Sequence, residues 1–199
     1  MALPQTDPTM SFPEYVAWSR DQDIKYEFYA GKVYAMAGGT TLHAWLVGQA
    51  LFHLRLALQG RPCRAFASDL RVRIPESGLA TYPDCLVVCG RIETDPEDAD
   101  SVTNPVVLVE VLSKSTEAYD RGQKFEHYRK LPSLQHYLLV AQDRPHVEHY
   151  ARTADGGWVL RDATAGSVLQ LHAIDVALPI DALYEGVDAL RAGAAPPIR

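Results

Sequence analysis

A chain of 199 residues with 47% hydrophobic and 22% charged positions can bury one core of ordinary size and excludes a disordered or fibrous class. Its net charge of −6 and pI near 5.6 exclude a general polyanion-binding surface, so any nucleic-acid contact must come from a local patch. No leader pattern and no apolar run of membrane-span length can be read, which predicts a cytoplasmic protein with no membrane partner.

The organisation predicted is a flexible N-terminus over residues 1–10, one domain over 11–185 and a C-terminal tail over 186–199. Ser11 and Glu14 have capping-box spacing with Pro13 in the first turn, which predicts a short helix to about Arg20. Lys25 to Met36 alternates around Ala30-Gly31 as a hairpin does. Glu27 lies on that hairpin, either on its solvent face, the preferred reading, or approaching a site from the N-terminal side. Gly38-Gly39-Thr40 then breaks the strand before a long helix over about Thr41–Leu58. Its three-and-four spacing predicts an inward stripe of Leu42, Trp45, Leu46, Gln49, Phe52, His53 and Leu56. His43, in the first turn, reads equally well as a site-facing group and as a helix-start histidine bonded to a nearby carbonyl.

Strands follow at about Cys63–Ala67, Leu70–Ile74, Tyr82–Val88 and Pro105–Leu112. The acidic stretch Gly90–Asn104 between the last two is expected to be an exposed connection, without the central glycine and closing glutamate of a calcium loop. Asp69 reads as turn chemistry. Cys63, Cys85 and Cys89 form an odd set without zinc-ribbon spacing, and the expectation is buried free thiols. After a central helix, Gln135–Ala141 forms another strand, and residues 146–171 read as a meander. His146 and His149 read as ordinary strand residues. Residues 181–185 suggest a last short helix, and the segment from Ala192 on suggests a frayed end.

The chemistry concentrates in Pro105–Lys130. The run Pro105–Leu112 fits a buried strand, yet Glu110 interrupts it, and a carboxylate there is costly without a partner. Asp120 and Gln123 have the spacing of a capping box that starts the next helix. The i, i+4, i+8 spacing then puts Asp120, Lys124 and Tyr128 on one face, pointing back toward Glu110. Upstream, Asp84 follows Pro83 at the entry of a second apolar strand. Two carboxylates at adjacent strand ends plus a lysine suit a hard-oxygen Mg²⁺ site, which Mn²⁺ could also fill, completed by water and phosphate oxygens. This constellation suits phosphodiester hydrolysis. Lys114, Arg121, Lys124, Arg129 and Lys130, set against Glu117, Asp120 and Glu126, offer a modest basic patch or a solvated helix face.

The order Pro83-Asp84, Glu110-Val111-Leu112-Ser113, Ser115-Thr116, Asp120, Lys124 and Tyr128 resembles the Uma-type restriction endonuclease family, a branch of the PD-(D/E)xK nuclease superfamily. Tyr26-Glu27, the run Gly31 to Met36, Gly39-Thr40 with His43, and the strand Tyr137 to Val140 extend the resemblance over about residues 11–185. It implies an α+β fold with a restriction-endonuclease-like αβββαβ core, a mixed sheet carrying added N- and C-terminal strands. It also implies Asp84 and Glu110 as metal ligands and DNA as partner. The superfamily's lysine usually lies two residues after the acid, where this chain has Leu112; the resemblance suggests Lys124 as a migrated replacement. Asp84, Glu110 and Lys124 are therefore the expected catalytic groups, supported by Asp120, Tyr128, His43 and, less directly, Glu27. Cutting both strands would require two copies, consistent with a homodimer. Two rivals follow from the residues: an inactive nuclease scaffold that binds DNA or protein, and a metal-dependent phosphohydrolase of a small substrate.

Overall fold

In a computed structural model that describes residues 9–193, the chain opens with helix α1 (Phe12–Ser19), and both halves of the Ser11/Glu14 capping box are present. A hairpin of β1 (Tyr26–Tyr29) and β2 (Lys32–Ala35) follows, turning at Ala30 and Gly31, both at positive φ. Thr40 then caps α2 (Thr41–Ala57) by accepting the His43 N–H. Next come β3 (Cys63–Ala67), β4 (Arg71–Ile74), β5 (Leu79–Thr81), β6 (Cys85–Cys89), β7 (Thr94–Asp95), β8 (Asp98–Val102) and β9 (Val107–Val111). The following helix, α3, has three consecutive parts: α-helical Glu117–Tyr119, a π-helical turn Asp120–Lys124, and α-helical Phe125–Tyr128. Strands β10 (His136–Val140), β11 (His146–Arg152), β12 (Trp158–Thr164), β13 (Val168–Leu171) and β14 (Val176–Pro179) precede the short helices α4 (Ile180–Leu183) and α5 (Val187–Arg191).

A mixed six-stranded sheet, ordered β12-β11-β10-β9-β6-β3, forms the centre. Only β9 and β10 run parallel within it, because the chain between them crosses over through α3 rather than through a tight turn. A second six-stranded sheet, β2-β1-β5-β4-β8-β7, carries the N-terminal hairpin, and β13 pairs with β14 in a separate ribbon. Strand β9 is buried on both faces, which explains its nearly unbroken apolar run. Val107, Val109 and Val111 face α2 through Leu46, Ala50 and Leu54. Leu108 and Leu112 pack on the opposite side with Tyr128, Tyr137 and Leu139. Glu110 alternates with the valines and so falls on this second side, beneath α3.

Several sequence expectations are corrected. The buried stripe of α2 is Leu46, Ala50 and Leu54, whereas Trp45, Phe52 and Leu56 are 38%, 56% and 50% exposed. The helix is apolar around most of its circumference, so spacing alone selects no single stripe. The acidic segment forms the hairpin β7–β8 rather than an exposed connection. Its Asp95 and Asp98 are buried and paired with Arg73 and Arg71, at 3.6 and 3.0 Å. Cys63 and Cys89 are not free: they are register partners across β3 and β6 and form a disulfide. Cys85 is a buried free thiol, which burial pushes well above its ordinary pKa. Asp120 caps no helix, because α3 begins three residues earlier at Glu117. The expected tail contains α5, whose Val187 is buried. Residues 1–8 of the expected N-terminal segment, and 194–199 at the other end, lie outside the described residues. Among the described residues, no helix is long and apolar enough to cross a membrane.

Candidate active site

The antiparallel register of β6 and β9 sets Cys85 opposite Val109. Continued by one residue, it sets Asp84 opposite Glu110. Pro83 ends the preceding segment without a donor, and Asp84 satisfies the next strand with its side chain, accepting the Val111 N–H at 2.7 Å. Two carboxylates directly opposite on one sheet repel each other unless a cation lies between them. Lys124 supplies positive charge on one side, and His43 lies against Asp84 on the other. His43 Nε2 lies 3.3 Å from Asp84 Oδ2. Its hydrogen bonds to that carboxylate and to the Val111 backbone hold the imidazole above its usual pKa, against burial. Gly39 makes this ring position possible, since a Cβ there would come within 2.5 Å of His43 Nδ1.

Lys124 descends from α3 into the same space. Its ammonium is 2.8 Å from Glu110 Oε1, 3.6 Å from Asp120 Oδ1 and 3.7 Å from Glu27 Oε1. Burial opposes its charge, but Glu110, then Glu27 and Asp120, hold its pKa well above the ordinary lysine value. Tyr128 donates its hydroxyl to Glu110 Oε1 at 2.7 Å, and Tyr137 donates to the Asp120 carbonyl at 3.0 Å. The π-helical turn spans Asp120 to Lys124, and such single turns often occur at functional sites. Leu112, in the superfamily's usual lysine position, is committed to apolar packing with Tyr128 and Leu139.

Glu27 does not lie on a solvent face. It is buried, accepts a hydrogen bond from Thr81, and faces Lys124 from the second sheet. Tyr119 is a site residue that sequence reading missed. Its hydroxyl is buried, has no hydrogen-bond partner among the described residues, and lies in the field of Glu27, Lys124, Asp120 and Glu110. Burial, more than that field, keeps the phenol protonated and therefore a donor. Its position just before the π-helical turn is the one local signal that could have marked it. Asp69 pairs with Lys25 at 2.5 Å on the surface, and His146 pairs with Asp162 at 2.8 Å; neither reaches this site.

The cluster holds four carboxylates, Glu27, Asp84, Glu110 and Asp120, around one buried ammonium. Burial first, and Asp120 and Asp84 in addition, push Glu110 up to about 8 against the attraction of Lys124. Asp120 is raised by burial as well. A cluster that retains a proton near neutrality has room for another positive charge. Among the described residues, no three or more His, Cys, Asp or Glu side chains make a ready metal cage. The donor set is instead a pair of carboxylates, the kind Mg²⁺ completes with water and phosphate oxygens.

Residues 12–181 match the family model Uma2, described as "Putative restriction endonuclease". In Synechocystis, "Uncharacterized protein slr1290" is 37% identical over 183 residues, spanning 90% of this chain and 94% of the relative. There too, "Uncharacterized protein sll1609" is 34% identical over 162 residues, 81% of this chain and 92% of its own. The crystal structure of "a putative nuclease belonging to DUF820" from Anabaena variabilis superposes with a TM-score of 0.71 at 17% identity, covering 89% of this chain and 99% of that one. The α+β architecture with its mixed sheet is thus the fold of a nuclease-like neighbour.

Proposed function

This chain belongs to the Uma2 family, described as putative restriction endonucleases, and from that membership we propose that it is a divalent-metal-dependent endonuclease hydrolysing DNA phosphodiester bonds. One observation carries the reading: Lys124 Nζ stands 2.8 Å from Glu110 Oε1, while Asp84 accepts the N–H of the very next residue, Val111, at 2.7 Å. Acid, acid and lysine from β9, the β6 entry and α3 thereby converge on one strand end.

Asp84 and Glu110 would hold Mg²⁺ or Mn²⁺, which when bound polarises a phosphoryl oxygen and lowers the pKa of a coordinated water. Everything else is assigned to the chain's own groups. The Lys124 ammonium offsets negative charge that builds on the phosphoryl oxygens during in-line attack, in a site largely shielded from solvent. Asp120 and Glu27 hold the ammonium by charge, and Tyr128 fixes the Glu110 carboxylate by donating to Oε1. Tyr119 offers an unused donor to a phosphoryl oxygen. His43, whose pairing with Asp84 raises its pKa, is placed to donate a hydrogen bond at the same end of the site.

The test is a supercoiled-plasmid nicking assay with Mg²⁺ or Mn²⁺ on the wild type, Asp84→Asn, Glu110→Gln and Lys124→Met, with circular dichroism verifying each fold. Nicking lost in all three folded variants supports the reading. Wild-type protein that binds neither ion and cuts nothing would instead leave a nuclease scaffold without catalysis.

A further inference from the structure

The consecutive residues Lys124 and Phe125 lead to different places. Lys124 ends among the carboxylates, whereas Phe125 ends at an open cavity of about 520 Å³, lined also by Arg129, Tyr150, Gly156, Gly157 and Trp158. This volume is in the range of small-ligand sites, yet no residue of the acidic cluster lines it. The cavity lies on the Glu110 side of the central sheet. Tyr150 pairs with Tyr137, and Tyr137 pairs with Leu108, two residues before Glu110 on the same strand face. Two strand spacings across and two residues along place Tyr150 about 12 Å from Glu110, within reach of a strand a few nucleotides long.

The walls are aromatic and fixed. Phe125 lies 4.4 Å from the Tyr150 ring and meets Trp158 edge-on at 5.3 Å, centroid to centroid. Behind Trp158, the Arg152 guanidinium sits 4.8 Å from the ring. That guanidinium donates to the carbonyls of Leu134, Arg129 and Leu131 at 2.7 to 2.9 Å, so it clamps the indole onto the end of α3. The floor is a tight turn in which Gly156 adopts φ +85 and Asp155 is taken up by Thr153 and the Gly157 N–H. At the rim, Arg129 is exposed and its guanidinium has no ion-pair or hydrogen-bond partner among the described residues. Glu126, on the next turn of α3, forms no ion pair with it.

Rigid aromatic faces beside a free guanidinium suit a flat, π-rich group attached to an anion. Every nucleobase has a π-face, and stacking on aromatic side chains with a neighbouring arginine is the general basis of single-strand binding. Building on the endonuclease reading, we infer that the Phe125–Tyr150–Trp158 cavity holds an unpaired DNA base, with Arg129 on its phosphate, while the same strand passes the carboxylates. The cavity thereby selects DNA that is unpaired near the cut.

Binding is measured without divalent ions, so that no cleavage intervenes, by fluorescence anisotropy of a labelled 12-nucleotide thymidine strand and of the same strand made abasic. Trp158→Ala should weaken binding of the base-bearing strand about tenfold. Trp158→Phe should restore most of that loss, and the abasic strand should bind wild type as weakly as the base-bearing strand binds Trp158→Ala. Arg129→Ala should flatten the salt dependence by about one phosphate contact. Equal affinity for the two strands, unchanged binding by folded Trp158→Ala, or no wild-type binding would each overturn the inference. Plasmid nicking separates the two readings. Nicking that needs Asp84 and Glu110, together with strand binding indifferent to Trp158, overturns the cavity alone. Trp158-dependent strand binding without any nicking overturns the endonuclease alone.

Discussion

Replacing Lys124 by methionine keeps the length of the side chain and removes its charge from the centre of the cluster. Its contacts of 2.8, 3.6 and 3.7 Å to Glu110, Asp120 and Glu27 are each worth roughly 4 to 6 kcal/mol at an effective dielectric of about 20, before desolvation. Relief of the ammonium's own burial offsets much of this, and loss of one partner from a buried ion pair costs about 3 to 5 kcal/mol net. The loss depends on pH. Glu110 is held at about 8 in the fold, against an ordinary value of 4.5. The native state therefore keeps a proton that the unfolded chain releases in that interval, so the Glu110 contribution is fully present below about 4.5 and is lost as pH rises through about 8. Without Lys124 the carboxylates need protons more, and the decline extends to higher pH. Urea unfolding followed by circular dichroism at pH 6 and pH 9 should show the full penalty at pH 9 and about half of it at pH 6. Adding Glu110→Gln to Lys124→Met should recover about 2 kcal/mol, a coupling of the size expected for residues in contact. A pH-independent loss, or an additive double mutant, would mean that Lys124 does not act as the counter-ion of these acids.

Tyr119→Phe removes a buried hydroxyl that has no partner among the described residues. The variant should be as stable as wild type or slightly more so, while the nicking rate falls about a hundredfold, the smaller end of the loss seen on removing a transition-state hydrogen-bond donor; an unchanged rate excludes the phenol from contact with the phosphate. Because Glu110 retains its proton near neutrality, Mg²⁺ binding at pH 7 should release on the order of one proton per ion. Calorimetry in buffers of different ionisation enthalpy measures that number, and a value near zero would place the ion away from Glu110. His136 and His149 form a buried pair at 2.9 Å, and burial lowers each to about 4. Unfolded histidines take up protons that these do not, so stability should fall as pH drops from about 6.5 to 4, by on the order of 5 kcal/mol for the pair at about 1.4 kcal/mol per pH unit for each ring. Guanidinium unfolding of His149→Phe across that range should show a flatter profile, and an identical one would mean that the pair does not set the acid sensitivity.

The N-terminal capping box, the hairpin at Ala30-Gly31 and the apolar run of β9 were legible because each depends on residues close in sequence. The same holds for Asp120, Lys124 and Tyr128, which need only one helix face, whereas Asp84 and Glu110, 26 residues apart, meet through the register of β6 and β9 and were expected together from the family resemblance. Residues brought in from elsewhere were not legible. Glu27 sits on a strand whose alternation is compatible with either face, and it reaches Lys124 only because the second sheet folds over α3. Tyr119 enters the site just ahead of the π-helical turn, which no helical periodicity anticipates.

Charge and composition misled where pairing is long-range. Asp95 and Asp98 belong to an acidic stretch that reads as solvated, yet Arg73 and Arg71 from another strand accompany them into the interior. Cys63 and Cys89 are 26 residues apart and become neighbours only through the register of β3 and β6. Sequence alone thus determined the locally encoded elements and the residue types of the site, because propensity, capping and periodicity act over a few residues. Tertiary structure alone decided which carboxylates share Lys124, which face of α2 is buried and where the aromatic cavity opens, because burial and electrostatics depend on distances that chain order does not set.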